Sequence, residues 1–159
     1  MERNHLSLTV PRDFPAITRI RVRYAETDQM GVAYHANYLI WMEVARVDYC
    51  QAAGFRYRDL EAEHGILLAV TEANCRYLSP ARYDDEVEIV TSLSRANRRA
   101  VTFQYQMRSV VLAGSGEKVR EVATGHTSHI FLNREMRPTT LPARFRGLLG
   151  IADNSAPLI

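Results

Sequence analysis

Hydrophobic and polar residues alternate along much of this chain. Over 17–24, apolar residues alternate with arginines, and a period of two predicts a strand with one edge toward a core and a basic edge toward water. The same period recurs over 66–77, 86–93 and 101–109, and 119–132 supplies a last long run. These stretches predict half-buried antiparallel strands.

The stretch over 38–53 does not alternate. Its apolar residues are spread around a helix and its polar residues gather on no wide face, which predicts a helix covered on more than one side. We expect Asn37 to cap its start and Gly54 to end it. The segment before it, 25–36, predicts a loop, and a short helical patch is expected at 57–64.

The order of these elements indicates the fold class. One strand, one long helix and four further strands predict an α+β fold, in which a central helix is wrapped by a curved antiparallel sheet of about five strands. Turns are expected at 96–99 and 113–116, and an irregular or short-helical tail from 133 onward. We expect 1–159 to be one domain with its core over 17–145, whose open sheet edges invite a second copy.

Composition narrows the class of protein. The 159 residues are 47% hydrophobic and 24% charged, which fits one compact domain. A net charge of +2 falls short of the basic surface of a dedicated nucleic-acid binder and suits a small anionic ligand. Two cysteines, Cys50 and Cys75, make no disulfide framework, and neither a signal peptide nor a membrane span is evident, so we expect a cytoplasmic protein.

Standard catalytic and metal motifs are mostly missing. The sequence contains no G-x-S-x-G nucleophile elbow, no P-loop and no dinucleotide fingerprint. His126 and His129 look like a metal pair, but residues three apart on a strand point to opposite faces. We therefore predict two ordinary strand histidines and no metal site.

The junction between the first strand and the long helix offers the remaining chemistry. It combines the Asp28 carboxylate, Gly31, the His35 imidazole and the amide-rich start of a buried helix. Such a helix start can bind an oxyanion, and a carboxylate opposite it can attack a carbonyl carbon or activate water. The combination predicts acyl transfer to water without serine or cysteine.

The residues of this junction resemble those of the hotdog-fold acyl-CoA thioesterases. The shared strings are Y-A-E-T-D at 24–28, G-V at 31–32, Y-H-A-N-Y at 34–38, Y-L-S-P-A at 77–81 and L-P at 141–142. They are similar to the 4-hydroxybenzoyl-CoA thioesterase family, in particular to its Tol-Pal-associated branch. The resemblance implies a hotdog fold, acyl-CoA as substrate, no cofactor beyond the coenzyme A of that substrate, and a homodimer or homotetramer.

The resemblance also implies roles for individual residues. Asp28 matches the catalytic carboxylate, acting as nucleophile or as general base for water. The backbone N–H of His35 matches the amide that polarises the thioester carbonyl. The side chains of Tyr24, Tyr34 and His35 match positions that bind substrate in the pocket.

Two further positions follow from the same resemblance, and each role has a plainer alternative. Arg98 and Arg99 fall where the family often places basic residues against coenzyme A phosphates, and Glu26 stands where aspartate is more usual. On the plainer interpretation, Asp28 is a loop-capping residue and His35 is a helix-start histidine whose ring only hydrogen-bonds backbone. Tyr24 then packs in the core, and the arginines form a solvated turn.

Three functions are compatible with these features. The first is a cofactor-independent acyl-CoA thioesterase that releases a carboxylic acid and free coenzyme A. The second keeps the fold and acts on acyl-carrier protein or on an aromatic acyl-CoA. The third is a non-catalytic acyl-CoA-binding module. We expect neither a nucleic-acid partner nor a membrane span in any of them.

Overall fold

The computed structural model of the chain describes residues 16–113 and 116–151. In chain order the elements are β1 (Ala16–Arg21), a 3₁₀ turn (Tyr24–Glu26), α1 (Asn37–Ala53), α2 (Tyr57–His64), β2 (Leu67–Tyr77), β3 (Glu86–Ala96), β4 (Ala100–Ala113), β5 (Gly116–Leu132) and α3 (Ala143–Leu148). The predicted α+β class and the order of one strand, a long helix and four strands are confirmed.

All five strands of the described ranges form one antiparallel sheet in the order β1-β3-β4-β5-β2. Register shifts interrupt the pairing of β2 with β5, of β3 with β4 and of β4 with β5. Such bulges bend a sheet, and the sheet curves around α1. Its two edges are β1 and β2.

One side of α1 packs against the sheet, in contact with β1, β2 and β3. Its buried residues are Tyr38, Trp41, Met42, Ala45, Tyr49 and Cys50. Opposite them, β5 carries Gly125, where a Cβ would collide with the Met42 methyl group and the Asn74 carbonyl oxygen. Glycine at this position allows the helix to lie directly on the sheet.

The other side of α1 is open. Leu39, Ile40 and Val44 are 41%, 51% and 40% exposed. The expectation that the helix is covered on more than one side is therefore wrong for a single chain, because the sheet reaches only one face.

Several predicted boundaries need correction. β1 ends at Arg21, and Tyr24 begins the 3₁₀ turn rather than ending the strand. Asn37 is the first residue of α1, whose cap position is Ala36 and has no side-chain cap. Gly54 ends the helix in the left-handed conformation with φ 109°, as predicted.

The strand predicted over 66–77 forms as β2, but it is not half-buried as expected, because it is an edge strand whose residues from Val70 onward are mostly exposed. Other pattern-based predictions agree with the structure. α2 spans 57–64, and the alternating apolar residues of β4 are buried, namely Val101, Phe103, Tyr105 and Met107. The predicted turn at 113–116 contains two residues, 114 and 115, that lie outside the described ranges. Within those ranges, no helix is long and apolar enough to cross a membrane.

Candidate active site

A cleft of about 340 Å³ opens between the loop after β1, the start of α1 and the end of β2. Its lining residues are Asp28, Met30, Val32, Ala33, His35, Tyr38, Tyr77, Leu78, Ser79 and Pro80. The structure therefore brings together Asp28 and His35, the two residues predicted to be catalytic.

Asp28 is held within a tight loop. Its backbone N–H donates to the Val32 carbonyl at 2.9 Å, and its carbonyl accepts from the Gly31 N–H at 2.9 Å. One carboxylate oxygen, Oδ1, accepts the Met30 N–H at 2.8 Å. Gly31 has φ 73°, a conformation that suits glycine. Asp28 thus caps its loop with one oxygen, while among the described residues the other oxygen has no hydrogen-bond partner.

The start of α1 supplies backbone donors. The Tyr34 N–H donates to the Glu26 carbonyl at 2.8 Å, and the Asn37 N–H donates to the Tyr34 carbonyl at 3.0 Å. Between them, the N–H groups of His35 and Ala36 have no acceptor among the residues that the structure describes. Unpaired amides at a helix start favour an anionic or polarised oxygen.

Two tyrosines complete the wall of the cleft. The Tyr77 hydroxyl donates to the His35 carbonyl at 3.0 Å, and its ring meets the Tyr38 ring edge-on at 5.0 Å. Burial, together with nearby Cys75, raises the pKa of Tyr77 to about 12, so its hydroxyl keeps its proton at neutral pH. Tyr77 belongs to the motif at 77–81, but sequence reasoning gave it no role in the site.

The tyrosines predicted to bind substrate lie beside the cleft and are not among the residues that line it. Tyr24 is 77% exposed and packs edge-on against Tyr83 at 5.7 Å, so the core-packing alternative for it is wrong. The Tyr34 ring lies 4.4 Å from the His35 ring. Tyr34 therefore contacts the cleft through His35.

Arg98 and Arg99 lie in the turn between β3 and β4, far from the cleft of their own chain. The cleft is near the start of β3, where the Val22 N–H donates to the Asp85 carbonyl. The arginines follow the other end of that strand, roughly 30 Å away at about 3.3 Å per residue. The structure does not bring them to Asp28 within one chain.

Other arginines are closer to the cleft. Arg82 Nη1 donates to the Gly31 carbonyl at 3.4 Å, and Arg120 Nη2 donates to the carbonyl of the cleft residue Pro80 at 2.8 Å. Neither was singled out from the sequence, because an exposed arginine, whether in a loop like Arg82 or on a strand like Arg120, carries no motif of its own.

The two histidines of β5 point to opposite faces of the sheet, as predicted. His126 is hydrogen-bonded to Glu72 at 2.7 Å near the surface, and His129 is 1% exposed and hydrogen-bonded to Thr127 at 2.8 Å. Within the described ranges, no group of three or more histidine, cysteine, aspartate or glutamate residues is placed to hold a metal ion.

The sequence and the fold are similar to those of a known group of proteins. The chain belongs to the thioesterase-like superfamily, whose family model matches residues 22–149. It is 30% identical over 135 residues to the acyl-CoA thioesterase YbgC of Helicobacter pylori, covering 82% of this chain and 97% of that protein. Two other relatives are matched over a smaller part of their length. The chain is 42% identical to a protein of Bacillus subtilis and spans 63% of its length, and it is 35% identical to a protein of Aquifex aeolicus and spans 70% of its length.

Solved structures give the same result. The DHNA-CoA thioesterase of Staphylococcus aureus is 37% identical, with a TM-score of 0.73 and 80% of each chain covered. The 4-hydroxybenzoyl-CoA thioesterase of Pseudomonas sp. strain CBS-3, at 22% identity and a TM-score of 0.75 over 84% of this chain and 98% of that one, shares the fold. The predicted family and hotdog fold are confirmed, and the Tol-Pal branch stays a prediction.

Proposed function

We propose that the chain hydrolyses acyl-CoA to a carboxylic acid and free coenzyme A. The observation that carries this proposal is the position of the Asp28 carboxylate in one cleft with the unpaired N–H groups at the start of α1. A thioester is a good electrophile with a thiolate leaving group, so one carboxylate and an oxyanion site suffice for its hydrolysis.

The reaction runs through a tetrahedral intermediate. The thioester carbonyl oxygen accepts hydrogen bonds from the N–H of His35 or Ala36, which stabilise the negative charge that develops on it. As general base, Asp28 takes a proton from water while the water oxygen bonds to the carbonyl carbon. The C–S bond then breaks, and the coenzyme A thiolate takes up a proton. As nucleophile, Asp28 would instead form an anhydride that water hydrolyses.

A specific observation favours an aromatic acyl group as a second candidate. The rings of His35, Tyr38 and Tyr77 line the cleft, and aromatic rings pair well in edge-on or offset arrangements. Comparing kcat/KM for benzoyl-type and straight-chain acyl-CoA of similar size tests this candidate. An acyl-carrier-protein substrate is tested in the same assay by supplying that carrier.

We further propose that the protein is a homodimer or homotetramer. The open side of α1 exposes Leu39, Ile40 and Val44, and the edge strand β2 exposes Val70 and most of its other residues. An apolar helix face beside an unpaired strand edge favours a second copy. Sedimentation at the single-chain mass of 18.1 kDa would contradict this assignment.

The proposed oligomer decides whether Arg98 and Arg99 can reach a cleft. Because they lie far from the cleft of their own chain, a role against coenzyme A phosphates requires the cleft of another copy. Arg82 and Arg120, beside the cleft, are the alternative. Alanine at 98 and 99 raises KM if the first assignment holds, and alanine at 82 raises it if the second holds.

We also propose a cytoplasmic location and activity that survives metal chelation.

The proposal is tested by release of free thiol from short, long and aromatic acyl-CoAs. Asp28→Asn keeps the side-chain shape and removes its charge, and we expect at least about a hundredfold loss of rate, the scale of one acid–base group. Asp48→Asn is the matched control, since Asp48 is a half-buried carboxylate of α1 that accepts the Thr18 hydroxyl at 2.7 Å away from the cleft.

The outcomes separate a thioesterase that uses Asp28 from catalysis elsewhere and from a binding module. Turnover by the wild type and by Asp48→Asn, with loss in Asp28→Asn, supports the thioesterase. Equal rates in wild type and Asp28→Asn would place catalysis elsewhere. Tight acyl-CoA binding without thiol release from any carrier would favour a binding module.

A further inference from the structure

Glu26 lies beneath the start of α1 and is 6% exposed. Its carboxylate accepts three hydrogen bonds: from the Arg23 backbone N–H at 2.8 Å, from Arg23 Nη2 at 3.1 Å and from the Trp41 indole N–H at 3.1 Å. One side chain therefore connects the 3₁₀ turn, two residues before Asp28, to the second turn of α1.

The backbone of the same residue contacts both sides of the oxyanion donors. The Glu26 carbonyl accepts the Tyr34 N–H at 2.8 Å and the Asn37 side-chain amide at 2.8 Å. Tyr34 and Asn37 flank the two residues whose N–H groups are unpaired. Movement of residue 26 would thus shift these donors relative to Asp28.

The charge of Glu26 is part of this arrangement. Burial alone would raise the pKa of Glu26, but the hydrogen bonds from Arg23 and Trp41 and the Arg23 charge outweigh it and hold the pKa below its ordinary value. The group is a carboxylate at neutral pH, and an ionised acceptor makes stronger hydrogen bonds than a neutral one. Asp28 keeps one oxygen unpaired, whereas Glu26 uses both oxygens as acceptors within the fold.

We infer that Glu26 is a positioning residue for thioester hydrolysis, which fixes the distance between the Asp28 carboxylate and the free N–H groups at the start of α1. The inference rests on the proposed function. It separates two acidic residues of one motif, of which Asp28 contacts the substrate and Glu26 acts through the loop and the helix.

Glu88 provides a matched control for Glu26. It is also a buried carboxylate, 7% exposed, and it pairs with Arg19 at 2.7 Å and with Arg108 at 3.2 Å. It lies on β3 and is not among the residues that line the cleft. Loss of charge at Glu88 reports the general effect of removing a buried, paired carboxylate from this protein.

The experiment measures kcat and KM for the full chain with Glu26→Gln, Glu26→Asp and Glu88→Gln. We expect Glu26→Gln to lower kcat about 10- to 100-fold, the scale of a displacement near 1 Å, with KM within about threefold. Glu26→Asp keeps the charge and retains most of kcat. Glu88→Gln leaves kcat unchanged.

Two further readouts extend the test: the first does not depend on turnover, and the second does not depend on a single variant. Trp41 is the only tryptophan of the sequence, so its fluorescence reports on the hydrogen bond to Glu26, and the emission maximum shifts in Glu26→Gln and not in Glu88→Gln. Trp41→Phe removes the same hydrogen bond from the other side. Because both substitutions remove the same hydrogen bond, we expect the losses of kcat in Trp41→Phe and in Glu26→Gln not to add when the two are combined.

The outcomes distinguish the positioning role from the proposed function. Unchanged kcat in folded Glu26→Gln, or an equal loss in Glu88→Gln, would overturn the positioning role if Asp28→Asn abolishes turnover. Fully additive losses in the double variant would overturn it as well. Equal turnover by wild type and Asp28→Asn would overturn the proposed function instead.

Discussion

The two halves of α1 differ in whether their polar groups are paired within the described ranges: two at its start are unpaired beside a cleft, and those of Arg46 in its second half are hydrogen-bonded and enclosed. At its start, two backbone N–H groups have no partner among the described residues, and they adjoin an open cleft with Asp28. Along its second half, Arg46 Nε donates to the Tyr57 hydroxyl at 3.1 Å, and Arg46 also contacts the hydroxyl of the fully buried Tyr105.

The second cluster continues into the sheet. The Tyr105 and Thr127 hydroxyls are hydrogen-bonded at 2.8 Å, and Thr127 is bonded to His129 at 2.8 Å. One buried atom there, His129 Nδ1, has no partner among the described residues. Polar groups enclosed in this way contribute to stability and specificity of packing, whereas those left open to a cleft are available to a substrate.

We call the buried group of Arg46, Tyr57, Tyr105, Thr127 and His129 the enclosed cluster. The comparison predicts that changes in the enclosed cluster alter stability and that changes at the cleft by the start of α1 alter activity. The pH dependence of unfolding gives the largest expected effect. Burial, and to a smaller extent the Arg46 charge, lower the pKa of His129 to about 3, while an unfolded histidine titrates near 6.5. Between these values the unfolded chain binds one more proton than the folded chain at this residue.

Stability therefore falls as pH falls through that range. Below about pH 6, His129 lowers the free energy of unfolding by about 1.4 kcal/mol per pH unit. Denaturant unfolding of wild type and His129→Gln between pH 7 and 4 measures the difference in slope, which should be close to one proton. Identical slopes in the two proteins would contradict the prediction.

A tyrosine-to-phenylalanine change in the enclosed cluster has the next largest effect on stability. Tyr105→Phe removes the hydroxyl that bonds Thr127, and we expect a loss of about 1 to 2 kcal/mol in the free energy of unfolding. Because Tyr105 does not line the cleft, kcat stays within about twofold of wild type. A tenfold loss of kcat in the folded variant would refute the separation of the two halves.

A tyrosine-to-phenylalanine change at the cleft has the smallest expected effect, and it lowers kcat rather than stability. Tyr77→Phe removes the hydrogen bond to the His35 carbonyl, and we expect kcat to fall about fivefold, equivalent to about 1 kcal/mol. Tyr77 is 47% exposed, so the free energy of unfolding changes little. A variant with unchanged kcat and lowered stability would show that Tyr77 is only structural.

Sequence periodicity predicted those elements whose apolar residues repeat with the period of a strand or of a helix. The alternation over 101–109 and the helical patch at 57–64 correspond to buried strand residues and to α2. The end of β1 was missed because the Glu26 carboxylate accepts the Arg23 N–H and turns the chain, a contact that no alternation records. The helix cap was missed for a similar reason, since the Asn37 side chain donates to the Glu26 carbonyl.

The site was predicted in part. Asp28 and His35 share one segment, so a motif and a helix start identify them together. Tyr77 comes from a strand 42 residues after His35, and its contact depends on how β2 crosses the loop. Arg98 and Arg99 are placed by topology at the far end of β3, which residue type and turn position alone do not indicate.

The most direct test of the account is a crystal structure of Asp28→Asn with an acyl-CoA that this variant does not turn over. The account predicts that the thioester carbonyl oxygen lies in the cleft within about 3.2 Å of the His35 or Ala36 backbone nitrogen. The thioester carbon should then face the side chain at position 28. A thioester bound outside this cleft, or with its carbonyl oxygen contacting neither amide, would contradict it.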